Sequence, residues 1–161
     1  MVELLDVRCI RDAGNDDTTP LAQLEIDDHV HGNLRMALPN GHVIFNFGFW
    51  GESDACIGDW YCVLNELAAM LSGVDDFTYE YPYPDQGDPT LEFSVTPEEV
   101  AIRLIHETDA TDDEPTAMLN QTISRVEFDV LVDKAIRLIE NTIKRASPIV
   151  GPRWLERNKR G

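Results

Sequence analysis

Ser124-Arg-Val-Glu-Phe-Asp-Val-Leu-Val-Asp-Lys-Ala-Ile-Arg-Leu-Ile-Glu-Asn-Thr-Ile143 is the stretch whose reading decides the fold. Ser124 and Glu127 make an S-x-x-E capping box, in which the two side chains satisfy amides left free at a helix start. Phe128, Leu131, Ala135, Leu138, Ile139, Thr142 and Ile143 then recur at three- and four-residue intervals, lining one stripe of a helix about six turns long. Pro148 ends it. An amphipathic helix buries its stripe against another layer, so the fold class turns on what precedes it.

Alternation with period two precedes it. Leu91, Phe93 and Val95 form one strand face, Thr96-Pro-Glu-Glu99 reads as a turn, and Val100–Ile105 returns as a strand. Upstream, Phe77, Tyr79, Tyr81 and Tyr83 alternate with polar residues and meet the next strand through a hairpin at Asp85–Pro89. His106–Pro115 reads as an acidic loop. The first half follows a similar plan, with an N-terminal strand over Val2–Ile10 and a loop over Asp12–Pro20. A strand follows with Ala22, Leu24 and Ile26 on one face and Gln23, Glu25, Asp27, His29 and His31 on the other. His31-Gly32-Asn33 is read as a turn into a strand with Leu34, Met36 and Leu38, and Pro39-Asn40-Gly41 as a second turn. Val43, Phe45, Phe47 and Phe49 then line a further strand. Asp59 is the expected N-cap of a helix carrying Trp60, Val63, Leu64, Leu67, Ala68 and Leu71, with Ser72-Gly73 as its stop. The expected fold is α+β: an antiparallel sheet of six or seven strands in βββα-βββα order, with two helices on one face. Residues 1–146 would form a single domain and residues 147–161 an irregular basic tail, with Trp154 as its point of attachment.

Charge is unevenly spread. The chain holds 30 acidic residues against 13 lysines and arginines. From Lys144 onward six basic residues face one acid, a net +5, so residues 1–143 carry −22. Such a body repels nucleic acid and anionic membrane and attracts basic partners. No apolar run approaches the roughly 18 residues of a membrane span. Three cysteines with no CxxC pair argue for reduced thiols, and the N-terminal residues lack the pattern of a signal peptide, so a cytoplasmic protein is expected.

No motif of high specificity is present. Asp27, His29 and His31, at i, i+2 and i+4 on the expected strand, are the candidate metal ligands; the competing reading makes them a solvated face. Cys56 precedes a helix start, where a thiolate is favoured, with His42 and His106 as candidate bases. No P-loop or EF-hand pattern occurs, and no cofactor is expected. Eleven of the 13 aromatics fall between Phe45 and Phe93. Trp50 and Tyr83 sit at strand ends beside Glu52, Asp54, Asp85 and Asp88, and these six residues form the candidate partner-binding set.

Asp59-Trp-Tyr-Cys-Val-Leu-Asn-Glu-Leu-Ala-Ala-Met-Leu-Ser-Gly73, followed by Phe77-Thr-Tyr-Glu-Tyr81 and Pro89-Thr-Leu-Glu-Phe93, resembles small acidic immunity-type proteins of bacterial polymorphic toxin systems. The resemblance implies a non-enzymatic inhibitor of a basic toxin domain and transfers no individual binding residue. The expected function is therefore capture of a basic protein partner. The alternatives are a metal-dependent enzyme using Asp27, His29 and His31, and a structural homo-oligomer docked through the C-terminal tail.

Overall fold

Helices form where the apolar spacing predicts them, but the strands assemble differently. The computed structural model describes residues 1–11, 18–37, 43–46, 54–82, 90–106 and 116–160. The protein is α+β, and the expected single sheet is replaced by two antiparallel sheets. In the first, β1 (Val2–Ile10), β2 (Thr18–Pro20), β3 (His29–Ala37) and β4 (Val43–Asn46) lie in the order β2-β1-β3-β4, and the short β5 (Ala55–Cys56) also pairs with β3. In the second, β6 (Phe77–Pro82), β7 (Thr90–Val95), β8 (Glu99–His106) and β9 (Thr116–Ser124) pair in sequence order. The long helix α1 (Ile57–Gly73) separates the two sets in sequence, and strands pair preferentially with sequential neighbours, so each set closes on itself. Helices α2 (Arg125–Ala146) and α3 (Gly151–Asn158) complete the chain. By compactness it divides into one unit of Met1–Glu66 with Leu131–Gly161 and a second of Leu67–Val130.

In the first unit, the stretch read as a strand with Ala22, Leu24 and Ile26 on one face is not one. Leu21–Gln23 is a single 3-10 turn, and Leu21 and Leu24 are buried while Ala22 is exposed. The short turn rotates Leu21 and Leu24, three residues apart, to the same side. The turn expected at His31-Gly32-Asn33 is also absent, because β3 runs through it without a break. Gly32 instead faces a bulge in β1 between Leu5 and Arg8, where Asp6 adopts φ 53°. A Cβ on Gly32 would sit 3.1 Å from the Leu5 carbonyl oxygen, so the glycine admits the close backbone approach of the bulged strand.

Residues 151–158, expected to be irregular, are helical. Pro148 stops α2, but Ser147 N–H still donates to Ile143 O at 2.9 Å and Gly151 N–H to Ser147 O at 2.8 Å, so the chain folds straight into α3. Gly151 lies close against Ile143, where a Cβ would meet the Ile143 oxygen at 2.8 Å. Trp154 is 1% exposed, and its indole Nε1–H donates to Asp28 O at 2.9 Å. Arg157 donates to Ile26 O at 3.0 Å and to the Asp27 carboxylate. Asp28 is itself buried. Its carboxylate accepts Glu25 N–H at 2.8 Å and lies 3.4 Å from Arg11 Nε, which fixes the turn that α3 grips.

In the second unit, Leu91, Phe93 and Val95 of β7 and Val100 and Ile102 of β8 are buried, as their alternation predicts. Phe93 stacks at tilted angles on Tyr79 and Phe128, with centroids 6.4 Å and 5.6 Å away. The Thr96–Glu99 turn forms, with Thr96 N–H donating to Glu99 O at 2.9 Å. Half of the capping box forms: Glu127 N–H donates to Ser124 Oγ at 3.3 Å, while the Glu127 carboxylate accepts the serine hydroxyl at 2.7 Å. The expected N-cap at Asp59 is displaced, because β5 leads directly into α1 at Ile57 and Asp59 falls in the first turn, where a carboxylate still favours the helix dipole.

The end of α1 is terminated by a residue far along the chain. Arg125 Nη2 donates to Leu71 O at 2.8 Å and Val74 O at 2.6 Å, while Nη1 donates to Thr96 O at 3.1 Å and to Asp75 O. Its own backbone N–H donates to Glu98 O at 2.9 Å. A cation at a helix C-terminus is favoured by the dipole, and here it also satisfies carbonyls that Gly73 leaves open.

Replacing Arg125 by Met should cost about 3 kcal/mol, since four acceptors lose a charged donor. Arg125→Lys should recover only a minor part, because an ammonium cannot span the same fork. Urea midpoints at unchanged m-value measure both. Trp154→Ala should cost about 3–5 kcal/mol by cavity formation and loss of the Asp28 bond.

Candidate protein-docking surface

Acidic residues are concentrated in one unit. Residues 67–130 hold 15 acids against 2 basic residues, a net −13, whereas the remainder holds 15 against 11, a net −4. Both basic residues of the acidic unit are engaged internally, Arg125 by backbone carbonyls and Arg103 by Glu92 at 3.3 Å. By sequence the unit therefore carries little compensating charge of its own.

Arg125 also determines where many of them lie. By holding Leu71–Asp75, Thr96 and the start of α2 together, it gathers Asp75, Asp76, Glu98, Glu99, Glu127 and Asp129 toward one end of the unit, all exposed. Among them, Val74, Val126 and Val130 are 45%, 76% and 46% exposed. Val126 and Val130 stand one turn apart on the same side of α2. On the sheet, Glu80 of β6 lies directly opposite Glu92 of β7, a like-charge pair that weakens a sheet, and Arg103 of β8 opposes Glu92 on its other side. The acids at 75–76, 98–99 and 127–129 come from segments more than twenty residues apart in sequence, and only the density of Asp and Glu over residues 67–130 could have flagged them.

The residues singled out from sequence fare differently. Trp50, Glu52, Tyr83, Asp85 and Asp88, together with His42, lie outside the described residues. Asp54 is described, and it is not a freely offered acid: its Oδ1 lies 2.8 Å from Arg8 Nη2, and its Oδ2 lies 3.1 Å from His31 Nδ1. Asp27, His29 and His31 do not share a strand face. Asp27 sits in the turn before β3 and is bonded by Arg157, whereas His29 and His31 belong to the strand and His31 pairs with Asp54. Among the described residues no three His, Cys, Asp or Glu side chains are grouped to hold a metal ion. Cys56 lies across the β3–β5 ladder from His31. Burial, and then the neighbouring Asp59 carboxylate, push its thiol up to about 11, so it remains protonated at neutral pH and the helix start does not make it a nucleophile. No described helix is long and apolar enough to cross a membrane.

A part-buried polar cluster in the first unit joins α1 to α2. Tyr61 Oη donates to Glu140 Oε1 at 2.8 Å, and Lys144 Nζ lies 3.1 Å from Glu140 Oε2. Burial alone would raise the Glu140 carboxyl, but the Tyr61 hydroxyl and Lys144 outweigh it and hold the carboxyl below its ordinary 4.5. Burial, followed by the bond to Glu140, pushes the Tyr61 hydroxyl upward from 10.

Comparison of the chain with protein-family models, with curated proteins and with solved structures found no match.

Linkage fixes the sign of the pH response. A lowered Glu140 contributes stability that is present above about pH 4.5 and lost as pH falls through its folded value. A raised Tyr61 contributes stability that is present below about pH 10 and lost as pH rises through its own. Glu140→Gln should flatten the acid limb of a melting-temperature profile, and Tyr61→Phe should flatten the alkaline limb.

Proposed function

We propose that this chain is a non-enzymatic binding protein whose acidic surface captures a basic protein partner. The observation that carries the reading is the −13 charge of residues 67–130, whose two arginines are both consumed internally. Glu80, exposed on β6, adds to that surface, while Glu92 across the ladder is paired with Arg103. The exposed valines among the acids add apolar area of the kind a bound partner desolvates. Such a surface steers a cationic protein toward itself and accelerates encounter, and salt slows it. A toxin-neutralising immunity protein is the most concrete form of this reading, with a basic toxin domain as the partner, and it rests on the resemblance of residues 59–93.

The test is co-purification with the product of the neighbouring gene, at low and at high salt. A complex that forms at low ionic strength and associates more slowly as salt is raised is the expected result; no complex at low salt rejects the reading. Reversing charge at Asp75 and Asp76 together should slow association about tenfold, an effect on encounter more than on dissociation. Reversing Asp133, which already pairs with Arg137 at 3.0 Å, should change it little.

A further inference from the structure

Helix α2 buries Phe128, Leu131, Val132, Ala135 and Ile139. Successive helical residues turn by about 100°, which puts Val126 and Val130 about 40° apart and on the side directly away from that stripe. They are 76% and 46% exposed, so neither is apolar for the sake of the core. The helix does not gain from them either, because a β-branched side chain loses rotamer freedom against the preceding turn. Glu127 flanks this ridge on one side and Asp129 on the other, both exposed. The cation of the same turn, Arg125, is directed back onto the Leu71 and Val74 carbonyls. Val74, whose carbonyl it holds at 2.6 Å, is a third exposed valine at this end and is followed by Asp75 and Asp76.

We propose that the Val126–Val130 ridge docks a cationic amphipathic helix of the partner, whose apolar stripe lies on the valines and whose basic flanks face Glu127 and Asp129. The inference rests on the capture of a basic protein and names the element of that protein which is held. Backbone chemistry selects a helix. The carbonyls of Val126 and Val130 are spent in the α2 ladder, and the Arg125 and Glu127 amides are bonded to Glu98 O and Ser124 Oγ. An extended segment laid on this face would find no backbone partners and would leave its own groups unpaired at a dry contact. A helix brings its hydrogen bonds with it, and apolar residues four apart form a ridge that fits between the rows of a second helix. Charge selects the sign. Acids stand on both flanks, so an anionic membrane or this same ridge on a second copy is repelled, whereas basic flanks are attracted. The labour then divides: the acids govern encounter, and the valines, desolvated only in the complex, govern how long it lasts.

The test is titration of the isotope-labelled full chain, at low salt, with two lysine–leucine peptides of identical composition and about five helical turns in length. One spaces its leucines three and four residues apart, so that they share a helix face; the other scatters them around the helix. The spaced peptide should bind at least about tenfold more tightly and become helical on binding, read by circular dichroism. The amides it shifts should be those of Val74–Asp76 and Val126–Val130. Val126→Ser combined with Val130→Ser, both at exposed sites, should abolish the preference, while Val126→Leu combined with Val130→Leu should keep it. Reversing charge at Asp75 and Asp76 should weaken both peptides alike, since it acts on attraction and not on the ridge. Equal binding of the two peptides, a preference that survives the serine pair, or shifts centred away from these residues would each overturn the docked helix and leave the capture of a basic partner standing. Binding of neither peptide would overturn both.

Discussion

The guanidinium of Arg125 is the point on which the acidic unit depends. It closes the end of α1, sets the path of the chain toward β6, holds the turn between β7 and β8, and opens α2. Each of these segments ends in carbonyls that would otherwise need water, and one planar cation with several donors satisfies four of them. The same arrangement brings together carboxylates that would repel one another if left to themselves. A single positive charge at the root of the cluster lowers the cost of assembling it, so what stabilises this end of the unit also makes it a charged surface.

The two units divide the electrostatic work. The basic residues near the C-terminus serve the less acidic unit internally: Lys144 holds Glu140, and Arg157 holds Asp27 and the Ile26 carbonyl. Part of the charge that looked in sequence like a tail opposed to a body is thus paired within the unit it belongs to. The excess that remains is concentrated in residues 67–130, where almost nothing offsets it.

The elements legible in the sequence are those whose signals are local. The Ser124 cap on Glu127 N–H, the Thr96–Glu99 turn and the apolar stripes of α1 and α2 depend on residues within a few positions of one another, and each forms. Misreadings arise where a distant partner decides. Gly32 resembles a turn residue until a bulged strand lies against it. Ala22, Leu24 and Ile26 fit an alternating pattern, Leu21 and Leu24 fit a single tight turn, and the turn prevails where Asp28 and Trp154 fix the backbone. β9 has weak alternation and no charged face to mark it, so nothing in its own composition announced a strand. Helix α3 is short and proline-led, and it owes its place to one indole buried against a residue 126 positions earlier. The candidate surface was partly visible as a bias in composition, but its assembly from residues near 75, 98 and 127 depended on Arg125, whose side-chain partners lie up to 54 positions away.

The bond between Trp154 and Asp28 has a temporal consequence. The acidic unit is one continuous stretch of chain, Leu67–Val130, whose strands pair in the order in which they are synthesised. The other unit is discontinuous, and its N-terminal strands wait for a helix made more than a hundred residues later. Contacts of such high sequence separation close slowly because the loop entropy must be overcome before they form. On the ribosome the acidic unit can therefore complete its pairing first, while the N-terminal sheet emerges before the segment that locks it.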